Sequence, residues 1–144
     1  MRNPIRDLHL TRADLTFVGA GLHRPECVVP MADGTVYCSD KDGIMRIEPG
    51  GGQTLIRRHY PDLEARDPER AARLVEVSET NGFWPAPDGR GFLVANIGGG
   101  CVERIGPGGA TEILCDSIDG APLGAVNYVT ADARGRIWFT VSTR

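Results

Sequence analysis

Residues 26–40 read ECVVPMADGTVYCSD, residues 81–95 read NGFWPAPDGRGFLVA, and residues 127–141 read NYVTADARGRIWFTV. Laid over one another without gaps, each gives an apolar strand, a tight turn and a second apolar strand. The turns fall at Asp33-Gly34, Asp88-Gly89 and Arg134-Gly135, where glycine supplies the positive φ that a tight hairpin needs. Successive turns stand 55 and 46 residues apart. Similarity at such a period marks an array built from one supersecondary unit.

The material after each hairpin repeats as well. GIMRIEPGGGQTLI (43–56) matches GCVERIGPGGATEIL (100–114), and both read strand, Pro-Gly-Gly turn, strand. A unit is therefore four short strands, the size of one propeller blade. The fold class expected is all-β, a partial β-propeller; a β-sandwich or small barrel built from the same hairpins is the alternative. One domain over 1–144 is expected, in four pieces. Residues 1–25 give an orphan outer strand, because ADLTFVGAGLHRPE (13–26) resembles a fourth strand. A first blade spans 26–80, a second spans 81–126, and 127–144 starts a third. The longer first step has a cause in ARDPERAARL (65–74). Asp67 as N-cap with Pro68 at the first helical position predicts a helical insertion over about 66–75, a lid or rim decoration.

Composition narrows the functions. The chain has 144 residues, 41% of them hydrophobic and 24% charged, ordinary values for one globular domain. A net charge of -3 and an isoelectric point near 5.6 give no basic footprint for nucleic acid. No stretch approaches the ~20 apolar residues of a membrane span, and the N-terminus shows no signal-peptide core. A cytoplasmic location is the expectation. Cys27, Cys38, Cys101 and Cys115 lack Cys-x-x-Cys spacing, so reduced, mostly buried thiols are expected rather than a zinc site. There is no Gly-x-Ser-x-Gly elbow and no phosphate-cradling loop. Trp84 and Trp138 fall at strand positions that predict packing between sheets.

Chemistry is expected at one register position. Glu26, Asn81 and Asn127 each stand seven residues before the first turn residue of their repeat. In a propeller, equivalent positions on innermost strands point at one central channel, so the three would form a ring of oxygen donors suited to a hard cation. The other reading is that each merely caps turn backbone. Asp33, Asp40 and Asp88 read as turn or strand-end residues.

The stretches RPECVVPMADGTVYCSDKDGIMRIEPGG, NGFWPAPDGRGFLVANIGGGCVERIGPGG and CDSIDGAPLGAVNYVTADARGRIWFT resemble the gluconolactonase, regucalcin (senescence marker protein) and luciferin-regenerating-enzyme group. The resemblance runs from about residue 13 to 141. It implies a six-bladed propeller of roughly twice this length and a lactonase that uses a divalent cation, Ca²⁺ or Zn²⁺, in its channel. By that resemblance Glu26 is a metal ligand, and Asn81 and Asn127 lie close to metal or substrate. The pattern's Asp after the last asparagine is Tyr128 here, and the position two before it, an arginine in some members, is Ala125. The expected catalytic base would lie beyond Arg144, so the metal site is expected to be incomplete.

The function expected is metal-dependent hydrolysis of a small-molecule sugar lactone, weak or absent in a truncated chain. A non-enzymatic interaction module is the alternative, since propeller arcs expose strand edges. Two chains could also complete one ring as a homodimer.

Overall fold

The computed structural model describes residues 8–142, so the expected outer strand (1–25) and third blade (127–144) each run past the described residues. Alternating apolar residues between glycine turns build two four-stranded antiparallel sheets, each in simple up-and-down order. The first holds β1 (Val28–Pro30), β2 (Val36–Asp40), β3 (Gly43–Ile47) and β4 (Gln53–Arg57). The second holds β5 (Thr80–Pro85), β6 (Phe92–Asn96), β7 (Cys101–Ile105) and β8 (Thr111–Cys115). After the short hairpin of β9 (Ser117–Ile118) and β10 (Ala121–Pro122), β11 (Ala125–Ala131) pairs with β12 (Ile137–Ser142).

Period-two alternation in β6 explains how these sheets stack. Phe92 and Val94 point to one side, where they join Ile44, Phe83 and Ile105, with Val29, Tyr37 and Ile56 of the first sheet against them. Leu93 and Ala95 point to the other side, packing with Val126 and Val129 of β11 and with Phe139 of β12. The second sheet is thus buried on both faces, as a blade between two blades must be. Phe83 and Phe92 meet edge to face at 5.6 Å, the arrangement favoured by aromatic quadrupoles.

The three hairpins carry glycine in the left-handed region at the expected places, with φ of 85° at Gly34, 71° at Gly89 and 76° at Gly135. The gapless alignment needs one correction. The Met31 and Asp132 amides donate to the carbonyls of Thr35 and Arg136, four residues on, whereas the Ala86 amide donates to the Gly91 carbonyl, five residues on. The second turn therefore holds one more residue, and Gly91 takes it up at φ 91°. The register before the turn is unaffected.

Residues 13–26 depart from expectation more fully. They form no strand: a single 3₁₀ turn at Arg12–Asp14 is followed by chain without a ladder partner. Apolar character alone makes no strand when no sheet edge is offered, and Phe17 stays 78% exposed. The segment is instead tied to β4 by Gln53, whose side chain accepts from the Ala20 amide at 2.7 Å and donates to the Ala20 carbonyl at 2.9 Å.

Between the blades lie two helices, α1 (Pro61–Arg66) and α2 (Pro68–Val77). Asp67 caps α2, accepting from the Arg70 amide at 3.0 Å, and Pro68 occupies the first turn as its fixed φ permits. Neither is a lid. Ala71 and Leu74 bury against Tyr60, Leu63 and Ile113 of β8, making a small core of their own on the outer strand of the second blade. The tryptophans are partly exposed, Trp84 at 40% and Trp138 at 55%, and Trp84 stands opposite Leu93 on the face turned toward β11. The Trp138 indole donates to Asp132 at 3.2 Å beneath the Arg136 guanidinium. Among the described residues no helix is long and apolar enough to cross a membrane.

Candidate functional site

The loop leading into β1 is shaped by β2. Ser39, fully buried, accepts from the amides of Glu26 at 2.8 Å and Cys27 at 2.9 Å and donates to the Arg24 carbonyl at 3.3 Å. Asp40 accepts from the His23 amide at 3.2 Å. Between these anchors Arg24 adopts a φ of 63°. That conformation is uncommon for a residue with a Cβ, and it is held only because its surroundings over-determine it.

The strained arginine reaches across the blade boundary. Its Nε donates to Glu26 Oε1 at 3.2 Å, its Nη1 to Glu79 Oε2, and its Nη2 to Asn81 Oδ1 at 3.5 Å. The other end of the Asn81 amide donates to the Asn127 backbone carbonyl at 2.9 Å. The three residues singled out in the repeat therefore belong to one hydrogen-bonded chain across three successive blades. Asn127 contributes its backbone there.

The inner strands come this close because of Gly82. A Cβ at that position would stand 2.9 Å from Tyr128 Cα and 3.0 Å from the Asn127 carbonyl oxygen. Only a residue without a side chain lets β5 and β11 touch there. Glu79 is placed from beneath: its amide donates to Asn96 Oδ1 at 3.0 Å, and Asn96 is itself fixed by Ser78 at 2.7 Å and Glu103 at 2.8 Å. Tyr128, standing where the resemblance implies an aspartate, has its phenol pushed up by burial, with Cys27 nearby adding to the effect.

Two members of the cluster, Arg24 and Glu79, were not singled out in the sequence. They occupy the same repeat position as each other, two residues before Glu26 and Asn81. Both positions lie on the chain just before β1 and β5, so the repeat that aligns Glu26 with Asn81 also aligns opposite charges on neighbouring blades.

Ca²⁺ takes six to eight oxygens, yet three of the side-chain oxygens here each face a different nitrogen of Arg24. Among the described residues no group of three or more His, Cys, Asp or Glu side chains could hold a metal ion. As folded, this donor set does not fit a divalent cation.

A sizeable cavity lies elsewhere. About 910 Å³ opens between Arg70 and Arg73 of α2, the Gly98–Gly100 turn and the chain around Leu123, and none of the cluster residues lines it. Arg70 is paired there with Asp116 at 2.7 Å.

Comparison with known proteins bears on the frame around this cluster. A catalytically inactive virginiamycin B lyase from Staphylococcus aureus, solved with quinupristin, superposes with a TM-score of 0.59 at 17% identity, over 86% of this chain and 36% of that one. The selenomethionine form of the same lyase gives 0.56 at 18% identity, over 81% and 34%. The fold is an arc of a β-propeller. A protein provisionally named a gluconolactonase superposes with a TM-score of 0.53 at 21% identity, over 88% of this chain and 44% of that one. The arc thus spans less than half the length of these structures. A family model described as strictosidine synthase-like, N-terminal, matches residues 9–47, which takes in the Arg24–Glu26 loop and β1 to β3. No curated protein matches the chain.

Proposed function

We propose that this arc is part of a propeller hydrolase of small cyclic esters, the sugar lactones, and that the Arg24–Glu26–Asn81 cluster is its substrate side. The observation that carries the reading is the Asn81 amide, which joins Arg24 of one blade edge to the Asn127 carbonyl of another. Side chains far apart in sequence, those of Arg24, Glu26, Glu79 and Asn81, converge from matching repeat positions at the entry to β1 and β5. Lactone hydrolysis needs a group that stabilises negative charge developing on the carbonyl oxygen, and a base that activates water. A half-buried guanidinium suits the first task. The arc supplies no group placed for the second, so turnover by this chain alone is weak or absent. The provisional gluconolactonase among the superposable structures supports this reading as a likeness of frame.

Titration with gluconate, the stable hydrolysis product of gluconolactone, tests it. The side-chain amide resonances of Asn81 and Asn127 shift on binding in the wild type, and that of Asn127 no longer shifts in Asn81→Ala. Perturbation confined to surfaces away from this cluster would remove the proposal. Rapid gluconolactone hydrolysis by the chain with added Ca²⁺ or Zn²⁺, lost in Glu26→Ala, would instead overturn the claim of inactivity.

A second reading has its own observation. Ile137, Trp138 and Val141 of β12 are 40%, 55% and 41% exposed, an apolar strand unlike an ordinary solvated edge. An interaction module, or a second copy completing the ring, would cover it. A monomeric mass by light scattering argues against the second copy. The four cysteines without a disulfide partner support the further proposal of a reducing compartment, such as the cytoplasm, for either form.

A further inference from the structure

We propose that the Arg24 guanidinium is the resident cation of the channel cluster, standing where a divalent metal would stand and keeping one out. The inference rests on the reading of this cluster as a ligand site, but not on lactone hydrolysis. Its basis is a one-to-one match. Each of the three guanidinium nitrogens meets an oxygen of a different residue, at Glu26, Glu79 and Asn81. Carboxylate and amide oxygens converging from two blades are the donor types a hard cation prefers. A planar, permanently charged fork that donates to all of them satisfies the same demand without an ion.

The placement is built rather than incidental. Arg24 sits at φ 63°, and a buried serine holds its carbonyl and the two following amides at 2.8–3.3 Å. Glu79 is set by the Asn96 contact beneath it. A metal entering here would meet a fixed positive charge at hydrogen-bond distance from every oxygen it needs, a like-charge arrangement that disfavours binding. The cluster keeps one surplus negative charge, two carboxylates against one guanidinium. A guanidinium has five N–H donors, and three are spent here. On a side chain 31% exposed, the remaining two can serve an oxygen of a neutral or anionic ligand.

Calcium chloride alone is the probe, read by calorimetry and thermal unfolding at matched ionic strength. The wild type shows no calcium heat and no shift in Tm. Arg24→Gln releases Glu26 and Glu79 to face each other, lowers Tm, and gains a weak site with a Kd on the order of 1 mM, so that excess calcium recovers several degrees. Arg24→Lys keeps the charge and stays insensitive to calcium, and it carries the test should Arg24→Gln not fold. Calcium binding by the wild type that disappears in Glu26→Gln would overturn the proposal. So would calcium binding by Arg24→Lys, or a folded Arg24→Gln that gains none. Because no arm measures hydrolysis, failure of the lactone reading would leave these results standing, and the reverse also holds.

Discussion

Arg58 and Glu103 face each other in the interior between the first and second blades, Nε to Oε2 at 3.2 Å, with both side chains essentially inaccessible to water. The contact is an ion pair without hydrogen-bond alignment between those two atoms. The other atoms of both groups are bonded by their surroundings. Arg58 Nη2 donates to Thr80 at 2.7 Å and Nη1 to the Lys41 carbonyl at 3.2 Å. Glu103 Oε1 accepts from the Tyr60 hydroxyl and from Asn96 at 2.8 Å. The same Asn96 seats Glu79, so the buried lock and the surface cluster share a residue.

Removing one partner of that lock leaves an uncompensated charge in a dry interior. Glu103→Leu alone should therefore cost about 3–5 kcal/mol of unfolding free energy, while Arg58→Met with Glu103→Leu, removing both charges, should cost far less than the sum of the Arg58→Met and Glu103→Leu singles. Urea unfolding of the four proteins completes the cycle. Additive single effects would show that the two charges stabilise the arc independently.

Gly82 is the second structural pivot. Any side chain there collides with the Tyr128 backbone and the Asn127 carbonyl at 3.0 Å or less, and backbone cannot rotate out of the way. Gly82→Val should lower stability by roughly 2–3 kcal/mol through overpacking. It should also break the Asn81–Asn127 bond, seen as loss of the protected Asn81 side-chain amide in NMR. An unchanged amide signal in a folded Gly82→Val would mean the blades approach for another reason.

The parts legible in the sequence were those set by local chemistry. Glycine at positions 34, 89 and 135 fixed the hairpins, and the Asp67-Pro68 pair fixed the start of α2. What escaped notice depends on partners distant in the chain. Leu15, Phe17 and Val18 look strand-like, yet a strand exists only where an edge accepts it. Pro61 likewise opens a helix that needed Tyr60 buried beneath the insertion. The aligned trio Glu26, Asn81 and Asn127 was found from register, but that Arg24 donates to the first two while the Asn127 carbonyl accepts from Asn81 required the fold. Arg58 and Glu103 give no signal at all, because a buried charge and an exposed one read alike in a sequence.

The cysteines divide by burial. Cys38 and Cys101 are inaccessible, whereas Cys27 and Cys115 are partly exposed. Burial pushes both buried thiols up, reinforced by Asp40 at Cys38 and by Glu103 at Cys101. Since the thiolate is the reactive form, Ellman's reagent should titrate two thiols readily in the native protein and four after unfolding. Four fast thiols at neutral pH would show that the blade interfaces open freely.

Two kinds of group set the pH limits. The Thr35 amide donating to Asp33 and the Arg90 amide donating to Asp88 hold these carboxyls below their ordinary value of 3.8. A lowered folded-state value contributes stability that is present above 3.8 and lost as the pH falls through it. Both groups are solvent-exposed, so Asp33→Asn with Asp88→Asn should flatten the acid limb only slightly. Tyr60 acts at the other end. Burial first, then the Glu103 carboxylate, raise its phenol above the ordinary 10.0. Its contribution is therefore complete below pH 10 and is lost as the pH climbs beyond that value. Tyr60→Phe should be less stable at pH 7, having lost the bonds to Glu103 and Ser78, and should show a shallower loss between pH 10 and 11 in thermal melts. Parallel alkaline limbs for the two proteins would assign the loss to other groups and take Tyr60 out of the lock.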